Sequence, residues 1–120
     1  MTENKTSATR IAIVGSRGFA ARWKVEDYIR SLPGTAVIVS GGADGVDTWA
    51  FEYATHRGHL VEVYPADWQE YGKRAGFLRN QLIVSKADRV VAFWDGVSKG
   101  TKHTIDLALK AGVDLEVLYA

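Results

Sequence analysis

The sequence predicts an α/β protein in which helices cover both faces of a five-stranded parallel sheet. Short runs of β-branched and apolar residues alternate strictly with segments whose apolar residues recur at helical spacing. Glycine or proline stands at several of the junctions between them. Strict strand–helix alternation is typical of parallel strands joined by right-handed crossovers. We therefore expect a three-layer sandwich with the strand order 3-2-1-4-5.

Five runs are predicted to be strands, and the second has the composition of a strand that is covered on both faces. The first is the apolar run 11–14, which ends at Gly15, and the second is 36–39, which ends at Ser40. The fourth is built on Val90-Val91-Ala92-Phe93. The predicted strands are residues 10–14, 36–39, 60–64, 89–94 and 115–119.

Four segments carry an apolar stripe and are predicted to be helices. In the second of them, Val46 and Ala50 share one face. Leu82 in the third and Leu109 in the fourth are expected to point inward. Residues 65–74 are mostly polar and are predicted to form a long loop. The predicted helices are residues 21–32, 44–56, 75–86 and 101–111.

Composition limits the class of protein. The chain has 120 residues and a net charge of +1, from 15 basic and 14 acidic residues. This balance gives no electrostatic footprint for a DNA-wrapping protein, so nucleic acid is not expected as a partner, although the total leaves a local basic patch open. Cysteine is absent, and no metal site is expected. No apolar run approaches the ~20 residues of a membrane span.

The polar residues 1–9 are predicted to form a disordered tail, since they lack the apolar core of a signal peptide. Residues 10–120 are predicted to form one domain, which is long enough to bury a single core. Without a signal peptide or a membrane span, the expected location is the cytoplasm.

The unusual residues follow the ends of the predicted strands. In a parallel sheet these ends share one edge, where open α/β sheets bind their ligands. A glycine-rich turn before a helix offers free N–H groups to an anion, although such a turn also occurs without any ligand. The residues concerned are Gly15, Ser16, Arg17, Ser40, Gly41, Gly42, Asp47, Asp67, Trp68, Asp95, Ser98, Gly100 and Thr101.

Their chemistry favours a nucleotide. We expect a phosphate between residues 15–17 and 98–101, where arginine, hydroxyl and backbone N–H groups would contact it. Asp67 or Asp95 would accept hydrogen bonds from sugar hydroxyls, and Trp68 would stack on a base. In the third predicted helix, Arg79 with Asn80 interrupts the apolar stripe. Arg79 there either extends its charge to solvent or reaches the ligand.

These pieces, taken together and in order, resemble the SLOG superfamily. The pattern is most similar to its stand-alone YspA-like branch, and it covers residues 11–119. The superfamily has a Rossmann-like fold and includes the Smf-type DNA-processing proteins and the "lonely guy" cytokinin-activating hydrolases. The matching motifs are Gly15-Ser16-Arg17, Ser40-Gly41-Gly42-Ala43-Asp44-Gly45-Val46-Asp47 with Ala50, Pro65-Ala66-Asp67-Trp68, Ala75-Gly76 with Arg79-Asn80, Phe93-Trp94-Asp95-Gly96, and Ser98 with Gly100-Thr101.

The resemblance implies a protein that senses or sequesters a nucleotide-derived ligand, in phage–host conflict or nucleotide signalling. It also implies a homo-oligomer. Two alternatives stay open: a phosphoribohydrolase and a single-stranded nucleic-acid binding module. The hydrolase signature carries a glutamate shortly after Gly-Thr, but residues 102–104 here are Lys-His-Thr. An enzyme is therefore not the favoured interpretation, and its candidate catalytic residues are Arg79, Asp47 and Asp95.

Overall fold

A twisted sheet of five parallel strands forms the centre of the computed structural model, which describes residues 9–119. The strand order is β3-β2-β1-β4-β5, as predicted. Residues of β1 alternate between the two faces, with Ile11 and Ile13 on one and Ala12 and Val14 on the other. The strands are β1 Arg10–Gly15, β2 Val37–Ser40, β3 Val61–Val63, β4 Arg89–Trp94 and β5 Asp114–Tyr119.

Helices cover both faces and make two apolar cores. α1 and α2 pack on the face that carries Ile11 and Ile13, while α4 and α5 pack on the other. The apolar spacing of each long helix explains its placement, because one stripe must be buried against the sheet. The helices are α1 Arg22–Arg30, α2 Val46–His56, α3 Trp68–Tyr71, α4 Ala75–Lys86 and α5 Lys99–Ala111.

Two details differ from the sequence prediction. The predicted loop 65–74 contains the short helix α3, which begins because the Asp67 carboxylate accepts a hydrogen bond from the Glu70 N–H at 3.1 Å. A 3-10 turn, Gly72–Arg74, follows it. The prediction that Leu82 and Leu109 point inward is wrong, because these side chains are 41% and 63% exposed.

Some predictions concern residues that the structure does not describe. Apart from Thr9, the predicted tail of residues 1–9 lies outside the described range, as does Ala120. Among the helices of residues 9–119, none combines the length and the apolar character that crossing a membrane requires.

The strand order reverses between β1 and β4, and this point creates a crevice at the carboxyl edge of the sheet. The chain leaves β1 toward α1 on one face and leaves β4 toward α5 on the other. At the end of β1 the backbone passes directly beside α2. A Cβ atom on Gly15 would lie 2.6 Å from the Cβ of Val46, which is fully buried. Only glycine fits here without displacing α2.

We predict that Gly15→Ala lowers the free energy of unfolding by about 1–3 kcal/mol, because the added methyl group overpacks a filled core. Gly34→Ala is the matched control, since a Cβ there would meet no atom within 4 Å. Urea unfolding of both variants measures the effect. Equal stability of the two variants would show that α2 moves aside at little cost.

Candidate functional site

A pocket of about 480 Å³ occupies the crevice between β1 and β4. Four segments build it: the turn after β1, the start of α2, the region from α3 through α4, and the turn after β4 with the first residues of α5. The lining residues are Val14, Gly15, Arg17, Gly18, Ala43, Asp47, Trp68, Lys73, Gly76, Phe77, Arg79, Asn80, Ile83, Asp95, Ser98, Gly100, Thr101 and Thr104.

Hydroxyl groups connect the two sides of the crevice. Ser16 Oγ lies 3.3 Å from Thr101 Oγ1, which lies 3.4 Å from Ser98 Oγ. The Asp95 N–H also donates to Ser16 Oγ, at 3.2 Å. Ser16 and Thr101 are both buried, so these contacts are shielded from water. They fix the turn after β1 against the turn after β4, as the sequence predicted for facing segments.

Asp95 presents an ionised acceptor beside the pocket. Its Oδ1 accepts hydrogen bonds from the N–H groups of Val97 and Ser98, at 2.9 and 2.8 Å. These two bonds hold the pKa of Asp95 below its ordinary value. Its Oδ2 faces Gly18, lying 3.5 Å from where a Cβ on that residue would be. This oxygen is suited to a sugar hydroxyl and repels a phosphate.

The start of α5 provides backbone donors. Among residues 9–119, no side chain caps the N-terminus of this 13-residue helix. Gly100 lies in its first turn, and a Cβ there would meet nothing within 4 Å. The N–H groups of the first turn are therefore accessible from the pocket, at the positive end of the helix dipole.

Arg79 crosses from α4 to the glycine-rich turn after β2. Its Nη1 donates to the Gly41 carbonyl at 2.8 Å, and its Nε donates to Asn80 Oδ1 at 2.9 Å. A Cβ on Gly41 would lie 2.7 Å from that Nη1, so the glycine makes the close approach possible. The two bonds use only part of the guanidinium, which has five N–H donors.

Asp47 is a buried carboxyl at the start of α2. It is 5% exposed, and its Oδ2 accepts a hydrogen bond from the Ala43 N–H at 3.1 Å. Burial raises the pKa of Asp47 to about 6, although the Ala43 N–H and the charge of Arg79 oppose the rise. A carboxyl of this kind exchanges its proton close to neutral pH.

Aromatic and basic side chains line the pocket on the side of α3 and α4. Trp68 is 60% exposed and Phe77 is 57% exposed. The Trp68 ring lies against Gly76, 3.4 Å from the position of a Cβ there. The sequence analysis identified Trp68 but missed Phe77 and Lys73. The basic residues of the predicted loop 65–74 were the available signal for Lys73, whereas Phe77 lies in the predicted helix 75–86, where its exposure depends on how the helix packs.

The structure brings together most, though not all, of the predicted site residues. Ser16 does not line the pocket, because its buried hydroxyl contacts Thr101 and Asp95. Ser40 is fully buried, and its hydroxyl accepts the Gly42 N–H at 3.3 Å. Gly41 supports Arg79, while Asp67 caps α3 away from the pocket. The predicted residues that do line it are Gly15, Arg17, Asp47, Trp68, Arg79, Asn80, Asp95, Ser98, Gly100 and Thr101.

The strand order and the crevice at its reversal point define a Rossmann-like α/β protein. The chain belongs to the family described as YspA, cpYpsA-related SLOG, whose model matches residues 9–71. It is 39% identical, over 114 residues, to the Gene 61 protein of Mycobacterium phage D29. That match covers 87% of this chain and 91% of the phage protein.

Two solved structures share the fold. DNA processing protein A (DprA) from Streptococcus pneumoniae superposes with a TM-score of 0.77 at 25% identity, over 92% of this chain and 50% of its own. The protein of the same name from Helicobacter pylori gives 0.73 at 24% identity, over 93% of this chain and 66% of its own. This chain thus spans half of the first protein and just under two thirds of the second.

The expectation that nucleic acid is not a partner, which the sequence analysis set beside the open alternative of a single-stranded nucleic-acid binding module, is wrong. The H. pylori protein, which shares this fold, binds single-stranded DNA. The physical reason is that net charge is a sum over the whole chain, whereas binding depends on local charge. Here the cationic groups of Arg17, Lys73 and Arg79 meet at one pocket. A net charge of +1 conceals that concentration.

We predict that Asp47→Asn stabilises the protein in a pH-dependent way. Because the folded pKa of about 6 exceeds the ordinary value of 3.8, the folded form retains a proton that the unfolded chain has lost. Rising pH through this window therefore lowers the stability of the wild type. Between about pH 4 and pH 7 the variant should gain about 3 kcal/mol on the wild type.

Urea unfolding at several pH values measures this difference. Asp44→Asn is the control, because Asp44 is an exposed carboxylate in the turn just before α2. If both variants follow the wild type in parallel across the pH range, Asp47 is not held in its protonated form by burial.

Proposed function

We propose that this protein binds a nucleotide in the pocket between β1 and β4, with the phosphate beside Arg17 and the start of α5. One observation carries the proposal: cationic side chains and an uncapped helix N-terminus face the same cavity. Within residues 9–119, neither Arg17 nor Lys73 has a hydrogen-bonding or ion-pair partner. Their charges are therefore available to an anion.

The remaining walls suit the rest of a nucleotide. Asp95 Oδ2 offers an acceptor to a sugar hydroxyl, and Trp68 and Phe77 offer exposed ring faces to a base. The volume of about 480 Å³ falls in the range of small-molecule sites. The proposal places the phosphate away from Asp95, since its lowered pKa keeps that carboxylate charged.

We predict that Arg17→Ala weakens binding of AMP by about tenfold to a hundredfold, which corresponds to one lost charge-assisted hydrogen bond. The Arg17 side chain is exposed and has no hydrogen-bond or ion-pair partner within residues 9–119, so the fold should persist. Isothermal titration calorimetry measures the affinity, and circular dichroism checks the fold. Lys110→Ala, an exposed charge near the other end of α5, is the control. Unchanged affinity in Arg17→Ala would contradict the proposed phosphate position.

Single-stranded DNA is the second candidate ligand. The fold neighbour from H. pylori that binds single-stranded DNA favours it, and the exposed rings of Trp68 and Phe77 supply stacking surfaces for bases. The mononucleotide and the DNA would share the phosphate and base chemistry of one pocket. AMP would then compete with an oligonucleotide for the protein.

We predict that Trp68→Ala weakens binding of a (dT)10 oligonucleotide by about 1–3 kcal/mol, the usual value of one base–aromatic stack. Trp23→Ala is the control, because Trp23 is similarly exposed, at 63%, but lies on α1 across the sheet. Fluorescence anisotropy at several salt concentrations measures the affinity. Equal losses in the two variants, or none, would exclude stacking at this pocket.

Other expectations belong to the same proposal. Turnover is a separate outcome: a free base or ribose phosphate appearing in the AMP experiment would establish the hydrolase alternative.

The 39% identity to a phage protein supports a role in phage–host conflict. One domain over residues 10–120, a homo-oligomer and a cytoplasmic location stay predictions.

A further inference from the structure

A chain of three polar side chains extends from the pocket into the interface between α4 and α5. Arg79 Nε donates to Asn80 Oδ1 at 2.9 Å, and Asn80 Nδ2 lies 3.1 Å from His103 Nδ1. Asn80 is buried, at 8% exposed, and Nδ2 also donates to the Gly100 carbonyl at 3.5 Å. The His103 ring packs on Phe77 with 4.6 Å between ring centroids. We name Arg79, Asn80 and His103 the arginine relay.

The chemistry of arginine determines every proton in this relay. A guanidinium has only donors, so the Asn80 atom that faces Arg79 must be its oxygen. The Asn80 amide nitrogen therefore faces His103, and it too is a donor. His103 Nδ1 must then be an acceptor, which places the proton of the neutral ring on Nε2. The relay is satisfied in one arrangement only.

We infer that Asn80 and His103 are positioning residues that hold Arg79 for an anionic ligand, and that protonation of His103 releases it. The inference rests on the proposed function for its ligand but not for the state of Arg79. Arg79 binds through the N–H groups that Gly41 and Asn80 leave free. Asn80 and His103 act on the ligand through Arg79.

Protonation of His103 places two donors opposite each other, its own Nδ1–H and the Asn80 amide N–H, so no hydrogen bond forms between them. Rotating the Asn80 amide does not relieve this. The rotated nitrogen would face Arg79 Nε, and the rotated oxygen would face the Gly100 carbonyl. Without rotation the contact between Asn80 and His103 is lost and Asn80 no longer has an anchor on α5, and with rotation Arg79 keeps only its bond to Gly41.

The charged groups around His103 do not replace the relay. On α4 the charge that faces it is Arg79, reached through Asn80, while Phe77 is apolar. On α5 itself, Lys102 pairs with Asp106 at 2.9 Å, and Lys99 lies one turn earlier. These neighbours leave His103 without a carboxylate of its own in residues 9–119.

The test compares substitutions that keep or remove the acceptor at residue 103. His103→Asn keeps it, because the asparagine Oδ1 occupies nearly the position of the histidine Nδ1 and does not titrate. His103→Leu removes it but retains the apolar contact with Phe77. Asn80→Leu removes the link between Arg79 and His103. Circular dichroism melting verifies that each variant folds.

Two readouts separate the inference from the proposed function. The first is the Arg79 Nε–H signal in proton–nitrogen NMR of the protein without ligand. Relative to free arginine at the same pH, it should exchange slowly in the wild type at about pH 7.5 and rapidly at about pH 5.5, because a proton on His103 Nδ1 opposes the Asn80 amide. It should stay slow at both pH values in His103→Asn, and should be rapid at both in His103→Leu and Asn80→Leu.

The second readout is the affinity for AMP at about pH 7.5. His103→Leu and Asn80→Leu should each weaken it about twofold to tenfold, the usual effect of one neutral hydrogen bond, and His103→Asn should restore it. If the exchange of the Arg79 Nε–H signal is the same in both leucine variants as in the wild type, the inference is overturned, whether or not AMP binds. A responsive signal in a wild type that does not bind AMP supports the inference and overturns the proposed ligand.

Discussion

The close packing at the end of β1 is the constraint on which the rest of this structure depends. Gly15 passes so near Val46 that no side chain fits between β1 and α2. One residue later, Ser16 accepts the Asp95 N–H and contacts Thr101 across the crevice. The strand end is thus fixed to elements on both faces of the sheet. The pocket walls keep their spacing because this short segment cannot move independently of either face.

Electrostatics in the pocket follow from the same packing. Acidic and basic groups are kept at different places: Asp95 is held ionised by N–H donors of its own turn, while Arg79 is directed to the Gly41 carbonyl. Asp47, which is 5% exposed at the same pocket, has a raised pKa because burial disfavours its charged form. One small cavity therefore offers donors, acceptors and a titratable carboxyl, which is the combination that a phosphorylated and hydroxylated ligand needs.

The net charge of the chain and the local charge at the pocket are different quantities. A net charge of +1 indicated a chain without affinity for nucleic acid, and a fold neighbour that binds single-stranded DNA corrects that conclusion. Much of the charge is neutralised in surface pairs such as Arg89 with Asp114 and Lys102 with Asp106. The cations that line the pocket include Arg17, Lys73 and Arg79, and only the folded arrangement brings them to one cavity.

The sequence by itself predicted the five strands, the four long helices and the edge of the sheet where Arg17, Asp95 and Thr101 lie. Local apolar spacing and glycine positions are sufficient for the strands and helices, since each acts over a short stretch of chain. The strand order was expected from the Rossmann-like pattern of the whole chain, and the tertiary structure shows it. Only the tertiary structure decided that Ser40 and Asp67 lie outside the pocket while Lys73 and Phe77 line it. It also decided that His103 reaches Asn80 and Arg79, because side-chain contacts between elements depend on how the helices pack, which no local pattern encodes.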